Sequence, residues 1–326
     1  MIAFGPVPSR RLGRSLGINN IPPKSCSYSC VYCQVGPTAM TETTPRPFYP
    51  PEEILRSVAE RLEALARRGE GVDWLTVVPD GEPTLDANLG ATIALLRPLG
   101  IPIAVITNSS LLWRAEVRAA LLTADWLSVK VDATDPEVWR RINRPDTILQ
   151  LDTILAGIAR LAADYRGTLT SETMLVAGSN DGQESIGAVA DFLSTIQPSV
   201  AYVAAPTRPP AEPRARPPDD ATLARAYQTL NARLPWVEYL IAYEGDAFGS
   251  TGRVEDDILG VAAVHPLREE ALRALLAKSA ADWTTVERLL SAGALRLVEY
   301  DGHRFYTRRV PISVPAAMAG AAPSPR

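Results

Sequence analysis

Short apolar runs alternate with amphipathic stretches from residue 14 to 242, and this alternation limits the fold more than any other feature. Runs rich in β-branched residues predict strands, and apolar residues recurring every three or four positions predict helices. The predicted strands cover 14–20, 73–78, 103–107, 126–131, 168–176 and 200–205. The helices between them are predicted near 51–68, 86–97, 112–122, 148–164, 183–196 and 219–233. Repeated strand–helix units of this kind predict an α/β fold with a parallel sheet.

Six such units are fewer than the eight that close a barrel. The sequence therefore predicts a partial (β/α)6 TIM-like barrel over residues 1–250, open on one side. In barrels of this type the functional site lies on the loops that follow the strands. An open barrel also leaves room for a large substrate.

The pattern changes after Gly252. Three short helices are predicted in EDDILGVAAVH, LREEALRALLAKSA and DWTTVERLLSAG, and a hairpin follows with its turn at Asp301 and Gly302. Three helices and a hairpin predict a small winged-helix domain over 253–310. The segment 311–326 is rich in Pro, Ala and Ser and lacks periodicity, so it is predicted to be disordered.

Composition excludes some classes of protein. The net charge of -4 argues against a chain that coats nucleic acid through bulk charge, so any such partner must bind a local basic patch. No apolar run approaches the roughly 18 residues that span a bilayer, and the first residues lack the basic-then-apolar order of a signal peptide. We therefore expect a cytoplasmic protein without a membrane partner.

All three cysteines, Cys26, Cys30 and Cys33, lie in one loop after the first predicted strand. An odd number of cysteines in a reducing compartment does not indicate disulfides. Three thiolates on a four-iron cluster would leave one iron free to bind a reactant. Structural zinc is an alternative, but it takes four protein ligands, and the only histidines, His265 and His303, lie far along the chain. A single catalytic thiol is another alternative that would not explain the spacing.

The CxxxCxxC spacing, with the aromatic Tyr32 before the third cysteine, resembles the signature of the radical S-adenosylmethionine (radical SAM) superfamily. The resemblance implies an enzyme of the oxidoreductase or transferase type with one [4Fe-4S] cluster on Cys26, Cys30 and Cys33. It also implies that S-adenosylmethionine binds the open iron and is cleaved to a 5′-deoxyadenosyl radical that abstracts a hydrogen atom. An electron donor such as flavodoxin or ferredoxin is the partner implied.

The segment from Pro79 to Pro83 resembles the GGEP element of that superfamily, with Asp80 in place of the first glycine. The resemblance implies that Gly81, Glu82 and Pro83 hold the methionine end of the cofactor, and that Tyr32 also belongs to the cofactor-binding residues. An ordinary acidic turn is the alternative, because Gly, Asp and Pro are common in turns.

Polar side chains also stand at the ends of later predicted strands. Asn108, Lys130 and Asp132 are candidates for contacts with the cofactor ribose or carboxylate, and Glu172 and Asn180 are further candidates. The alternatives are a capping role for Asn108 and a buried Lys130–Asp132 pair that satisfies itself.

The segments 4–17, 131–145 and 206–212 resemble a narrower group, related to the wybutosine-synthesising tRNA enzymes. Those enzymes hold a second cluster on additional cysteines, and this chain has none to spare. The absence of further cysteines excludes a second cysteine-ligated cluster. It also means that the reaction of the tRNA enzymes cannot be assigned directly to this chain.

Two basic segments suggest partners. The arginines of the stretch 206–218, Arg208, Arg214 and Arg216, follow the last predicted strand and predict either a lid over the barrel mouth or a stiff connector. The predicted winged helix carries a modest basic hairpin, which suits RNA or a partner protein.

Three functions follow as hypotheses. The first is hydrogen abstraction on an unknown substrate, with tRNA or protein as macromolecular candidates. The others are a glycyl-radical activating enzyme and a nucleic-acid-binding iron–sulfur sensor or regulator. A sensor has no need of a cofactor-binding element such as the one near Glu82.

Overall fold

The computed structural model describes residues 1–309, in which eight strands form one sheet in chain order. β1 pairs antiparallel with β2, and β2 to β8 are parallel throughout. The sheet curves into a half-barrel, so the carboxyl ends of seven strands meet at one mouth. The strands are β1 (Ala3–Ser9), β2 (Gly13–Ile18), β3 (Trp74–Val77), β4 (Ile103–Thr107), β5 (Trp126–Lys130), β6 (Thr168–Met174), β7 (Val200–Ala204) and β8 (Val237–Leu240).

Helices cover the outer face of the sheet. They are α1 (Pro51–Ala66), α2 (Leu89–Leu96), α3 (Ala115–Leu121), α4 (Pro136–Asn143), α5 (Leu151–Asp164), α6 (Gln183–Ile196) and α7 (Asp220–Asn231). In α1, the buried residues Ile54, Val58 and Leu65 recur at helical spacing and face the main core. Within residues 1–309 no helix combines the length and apolar character that crossing a membrane requires.

The α/β partial barrel predicted from the sequence is confirmed, with predicted strand ends within two residues of the observed ones. The number of strands was wrong, because β1 and β8 were not predicted. β1 reads AFGPVPS, and Pro disfavours strands except at a sheet edge, which is where β1 lies. Helix α4 was also missed, although Asp135 caps it and Pro136 occupies its first position.

A second unit follows the barrel and has its own apolar core. Its elements are α8 (Val254–Val264), β9 (Leu267–Arg268), α9 (Glu269–Lys278), α10 (Thr284–Ser291), β10 (Leu295–Tyr300) and β11 (His303–Arg308). β10 and β11 form an antiparallel hairpin, whose turn residues Asp301 and Gly302 both have positive φ. The winged-helix assignment and the domain boundary stay predictions. The segment 311–326 lies outside the described residues.

A buried ion pair joins this unit to the barrel. Arg61 on α1 lies 2.7 Å from Asp257 on α8, and their side chains are 4% and 0% exposed. Arg61 also donates two hydrogen bonds to the carbonyl oxygen of Gly5. Buried charges are normally paired, so Arg61 and Asp257 must stay in contact in the folded chain. This contact holds α8 against α1.

Candidate functional site

The loops at the mouth of the half-barrel enclose a cavity of about 320 Å³, a volume within the range of small-molecule sites. All three cysteines line it. So do further residues predicted from the sequence, namely Tyr32, Asp80, Gly81, Asn108, Lys130, Glu172 and Arg208. The structure thus brings together side chains from strands that are far apart in sequence.

The cysteine loop is held by backbone hydrogen bonds to two neighbouring segments. The amide of Val31 donates to the carbonyl of Ile142 at 2.9 Å, near the end of α4. On the other side, the amide of Glu82 donates to the carbonyl of Ser25, also at 2.9 Å. A Cβ on Gly81 would lie 1.9 Å from that same Ser25 oxygen, so only glycine permits this approach. Gly81 therefore sets the spacing between the cysteine loop and the loop after β3.

Burial controls the state of the thiols. Removal from water raises the pKa of the Cys30 thiol to about 12 and raises the pKa of Cys26 still further. The negative charge of a neighbouring cysteine adds to each shift. A metal that binds these cysteines as thiolates displaces their protons.

Glu82 does not face the cavity. Its carboxylate is fully buried and accepts hydrogen bonds from the Thr84 amide at 3.1 Å, the Thr107 hydroxyl at 2.6 Å and the Asn108 amide at 2.7 Å. Pro83 is buried beside it. The role of Glu82 and Pro83 in holding a cofactor stays a prediction. Glu82 joins the ends of β3 and β4 and positions Asn108.

Asp80, which replaces a glycine of the GGEP element, lines the cavity. Its residue is 3% exposed, and its Oδ1 atom has no hydrogen-bond partner within residues 1–309. Burial raises the pKa of Asp80 to about 7, and the positive charge of Lys24 opposes this shift. An unpartnered buried carboxyl is costly unless a ligand completes it.

A polar network surrounds Tyr32. The Tyr32 hydroxyl donates to Asp132, and the Asn143 amide nitrogen lies 2.7 Å from the same carboxylate. The amide of Met174 donates to the other oxygen of Asp132 at 2.8 Å. Asp132 is therefore occupied by protein groups. Asn143, the last residue of α4, was not identified from the sequence because α4 itself was missed.

Lys130 lines the cavity and forms ion pairs with two carboxylates. Its ammonium lies 2.7 Å from Glu172 and 3.7 Å from Asp132. Burial alone would lower the pKa of Lys130, but these two carboxylates outweigh it and raise the pKa above its usual value. The alternative of a buried, self-satisfied lysine thus describes the observed contacts, with Glu172 as the principal partner.

Arg11 also lines the cavity and was not identified from the sequence. It lies in the turn between β1 and β2, with Nη1 2.7 Å from Glu172. Its guanidinium carbon lies 5.8 Å from the ring centre of Trp126 and 5.7 Å from that of Tyr202. Asn180, by contrast, binds the backbone of Val176 behind the cavity.

Of the three arginines in the stretch 206–218, Arg208 alone lines the cavity. It lies 2.6 Å from Glu244 and 3.1 Å from the side-chain oxygen of Gln34. Gln34 follows Cys33 and donates to the carbonyl of Val264, the last residue of α8, at 2.7 Å. Arg208 therefore connects the predicted lid, the cysteine loop and the C-terminal unit.

The model of the Radical SAM superfamily matches residues 20–193, which include the cysteine loop, the loop after β3 and strands β3 to β6. The chain belongs to the radical SAM superfamily and is a radical SAM enzyme, as the cysteine spacing predicted. Membership supports S-adenosylmethionine-dependent radical chemistry.

The similarity to several known proteins covers most of this chain. It is 45% identical over 311 residues to UPF0026 protein MJ1312 of Methanocaldococcus jannaschii, covering 95% of this chain and 96% of that one. A structure of TYW1 with a lysine-pyruvate adduct bound has a TM-score of 0.54 at 14% identity, covering 69% of this chain and 76% of that one. A radical SAM methyltransferase from Sphaerobacter thermophilus has a TM-score of 0.54 at 18% identity, with 70% and 67% covered. The two structures support the fold.

Proposed function

We propose that the chain binds one [4Fe-4S] cluster on Cys26, Cys30 and Cys33 and cleaves S-adenosylmethionine to start hydrogen abstraction on a substrate. The observation that carries this proposal is the convergence of the chain's only three cysteines on one cavity that also holds an unpartnered carboxyl. When bound, the cluster supplies the electron that cleaves the sulfonium and releases a deoxyadenosyl radical.

The spacing of the thiols supports a cluster over a single metal ion. Within residues 1–309 no three His, Cys, Asp or Glu side chains come close enough together to hold one ion. The ligands of zinc all lie within about 2.3 Å of the same atom. A cluster needs thiolates for its separate irons, and the three cysteines of one loop can supply them.

We assign the cofactor's ammonium group to Asp80. Asp80 is buried, its Oδ1 atom has no hydrogen-bond partner within residues 1–309, and the residue lies on the cavity wall beside Gly81. An ammonium beside it would supply the missing hydrogen bond and keep the carboxyl ionised. Asn108, whose backbone amide donates to Glu82, and Lys130, paired with Glu172, also line the cavity.

Partners and substrate follow the same proposal. A soluble electron donor such as flavodoxin or ferredoxin would reduce the cluster, and the C-terminal unit would bind RNA or a partner protein beside the mouth. The contact between Gln34 and Val264 places that unit next to the cysteine loop, which supports a role near the substrate.

Two measurements on the anaerobically reconstituted chain test this function. Iron and sulfide analysis should give a four-iron cluster that Cys30→Ala abolishes. Equilibrium dialysis with S-adenosylmethionine should then show binding that is about 10-fold or more weaker in Asp80→Asn, since a hydrogen bond to a charged group contributes about 1.5–3 kcal/mol. Asp152→Asn, at an exposed site on α5, is the matched control and should bind normally. A full cluster without cofactor binding would contradict the proposed enzymatic function and favour the hypothesis of an iron–sulfur sensor.

A further inference from the structure

We propose that Asn108, Asn143 and Lys24 form a set of three side-chain N–H donors, one for each cysteine sulfur, that raises the reduction potential of the cluster. The inference rests on the cluster of the proposed function. It names positioning residues for that chemistry.

The three donors are distributed one to a sulfur. Asn108 Nδ2 lies 3.6 Å from Cys26 Sγ, and Asn143 Nδ2 lies 3.5 Å from Cys30 Sγ. Lys24 Nζ lies 3.9 Å from Cys33 Sγ. They belong to the loop after β4, the end of α4 and the segment before the cysteine loop, so the cavity surrounds the thiols with donors from three directions.

Each asparagine is fixed by a contact that does not involve sulfur. Asn143 is 2% exposed, and its Nδ2 atom lies 2.7 Å from Asp132 and 3.0 Å from the Tyr32 hydroxyl as well as 3.5 Å from Cys30 Sγ, so its two N–H groups serve these three acceptors. The Asn108 side chain also bonds the Ser27 hydroxyl at 3.0 Å. The donors are therefore in place before a cluster binds, and little reorganisation accompanies electron transfer.

Lys24 is anchored differently. Its ammonium bonds the carbonyl of Gly36, directly after the cysteine loop, and its backbone has a φ of 67°. The backbone amide donates to the carbonyl of Asp80 at 2.7 Å. Lys24 therefore carries a full positive charge to the Cys33 side of the site, where the asparagines offer only dipoles.

The direction of the effect follows from charge. Reduction adds one electron to the cluster, and part of that charge lies on the coordinating sulfurs. N–H groups and an ammonium aimed at these sulfurs stabilise the reduced state more than the oxidised one. Removing a donor should therefore make the midpoint potential more negative.

The two kinds of donor should respond differently to salt. Lys24 is partly exposed, so its charge is screened as ionic strength rises. Asn143 is buried and acts over a short distance, so its effect should not change. This difference separates direct hydrogen bonding from the general field of the protein.

The test is a redox titration of the reconstituted chain, followed by the EPR signal of the reduced cluster. Asn143→Leu, Asn108→Leu and Lys24→Met should each shift the midpoint to more negative values, and the Lys24→Met shift should shrink in high salt. Lys24→Arg should restore most of the wild-type value. Asn231→Leu, at an exposed site on α7, is the control and should leave the midpoint unchanged.

Unchanged midpoints in all three donor variants, with full iron content, would overturn the inference. If Asn143→Leu fails to fold, the Asn108 and Lys24 variants decide it. Failure of the wild-type chain to assemble a four-iron cluster would instead refute the proposed function, so the two failures are distinguishable.

Discussion

Replacing Arg61 with leucine removes one partner of the ion pair between the barrel and the C-terminal unit. Both charges are almost completely buried, so the change leaves the Asp257 carboxylate without its cation and the Gly5 carbonyl without its two donors. The substitution keeps the apolar bulk of the side chain and does not alter the cavity.

The structure supports an estimate of the loss. Breaking a buried pair by removing one partner costs about 3–5 kcal/mol. Asp257 keeps hydrogen bonds from the backbone amide and hydroxyl of Thr251, both at 2.8 Å, which favours the lower part of that range. Arg67, directly after the same helix, offers a control, since the side chains of its pair with Glu63 are 64% and 71% exposed. Exposed pairs of this kind contribute about 0.3–0.5 kcal/mol.

Urea unfolding followed by circular dichroism measures both changes. Arg61→Leu should lower the free energy of unfolding by about 3 kcal/mol or more, and Arg67→Leu by at most about 0.5 kcal/mol. The double variant Arg61→Leu with Asp257→Leu should recover much of the loss, because no unpaired charge remains. Equal effects of Arg61→Leu and Arg67→Leu would refute the assignment of Arg61 as the buried link.

Three further changes test other parts of the site. Gly81→Ala should lower iron and sulfide incorporation without loss of helix content, because the added methyl group meets the Ser25 carbonyl; normal incorporation would contradict this packing. Glu82→Gln should lower the free energy of unfolding by about 1–3 kcal/mol in urea, since its buried donors lose their charged acceptor. Burial and the charge of Arg208 lower the pKa of His265 well below 6.5, so the unfolded chain binds a proton there more readily than the folded chain. The contribution of His265 to the free energy of unfolding is therefore greatest above pH 6.5 and declines as the pH falls below it. His265→Asn should flatten this pH dependence of unfolding.

The sequence predicted the sheet because buried parallel strands are nearly continuous apolar runs, as in β4 and β5. It also predicted the cysteine loop and the mouth of the barrel, since both depend on local spacing. β1 was missed because its prolines disfavour a strand unless tertiary contacts place it at an edge.

The sequence did not predict the surroundings of individual side chains within a motif. Glu82 and Asp80 are neighbours in one motif, yet Glu82 is enclosed by Thr84, Thr107 and the Asn108 amide, and Asp80 lines the cavity. Only the packing of three loops determines which carboxylate is free. Asn143 was hidden for a related reason, because its contact with Cys30 crosses 113 positions.

Production of 5′-deoxyadenosine is the most direct test of the central claim. The reconstituted chain, given dithionite and S-adenosylmethionine without oxygen, should release 5′-deoxyadenosine, and Cys30→Ala should release none. A chain that assembles the cluster and binds the cofactor but never cleaves it under reducing conditions would contradict radical chemistry at this site.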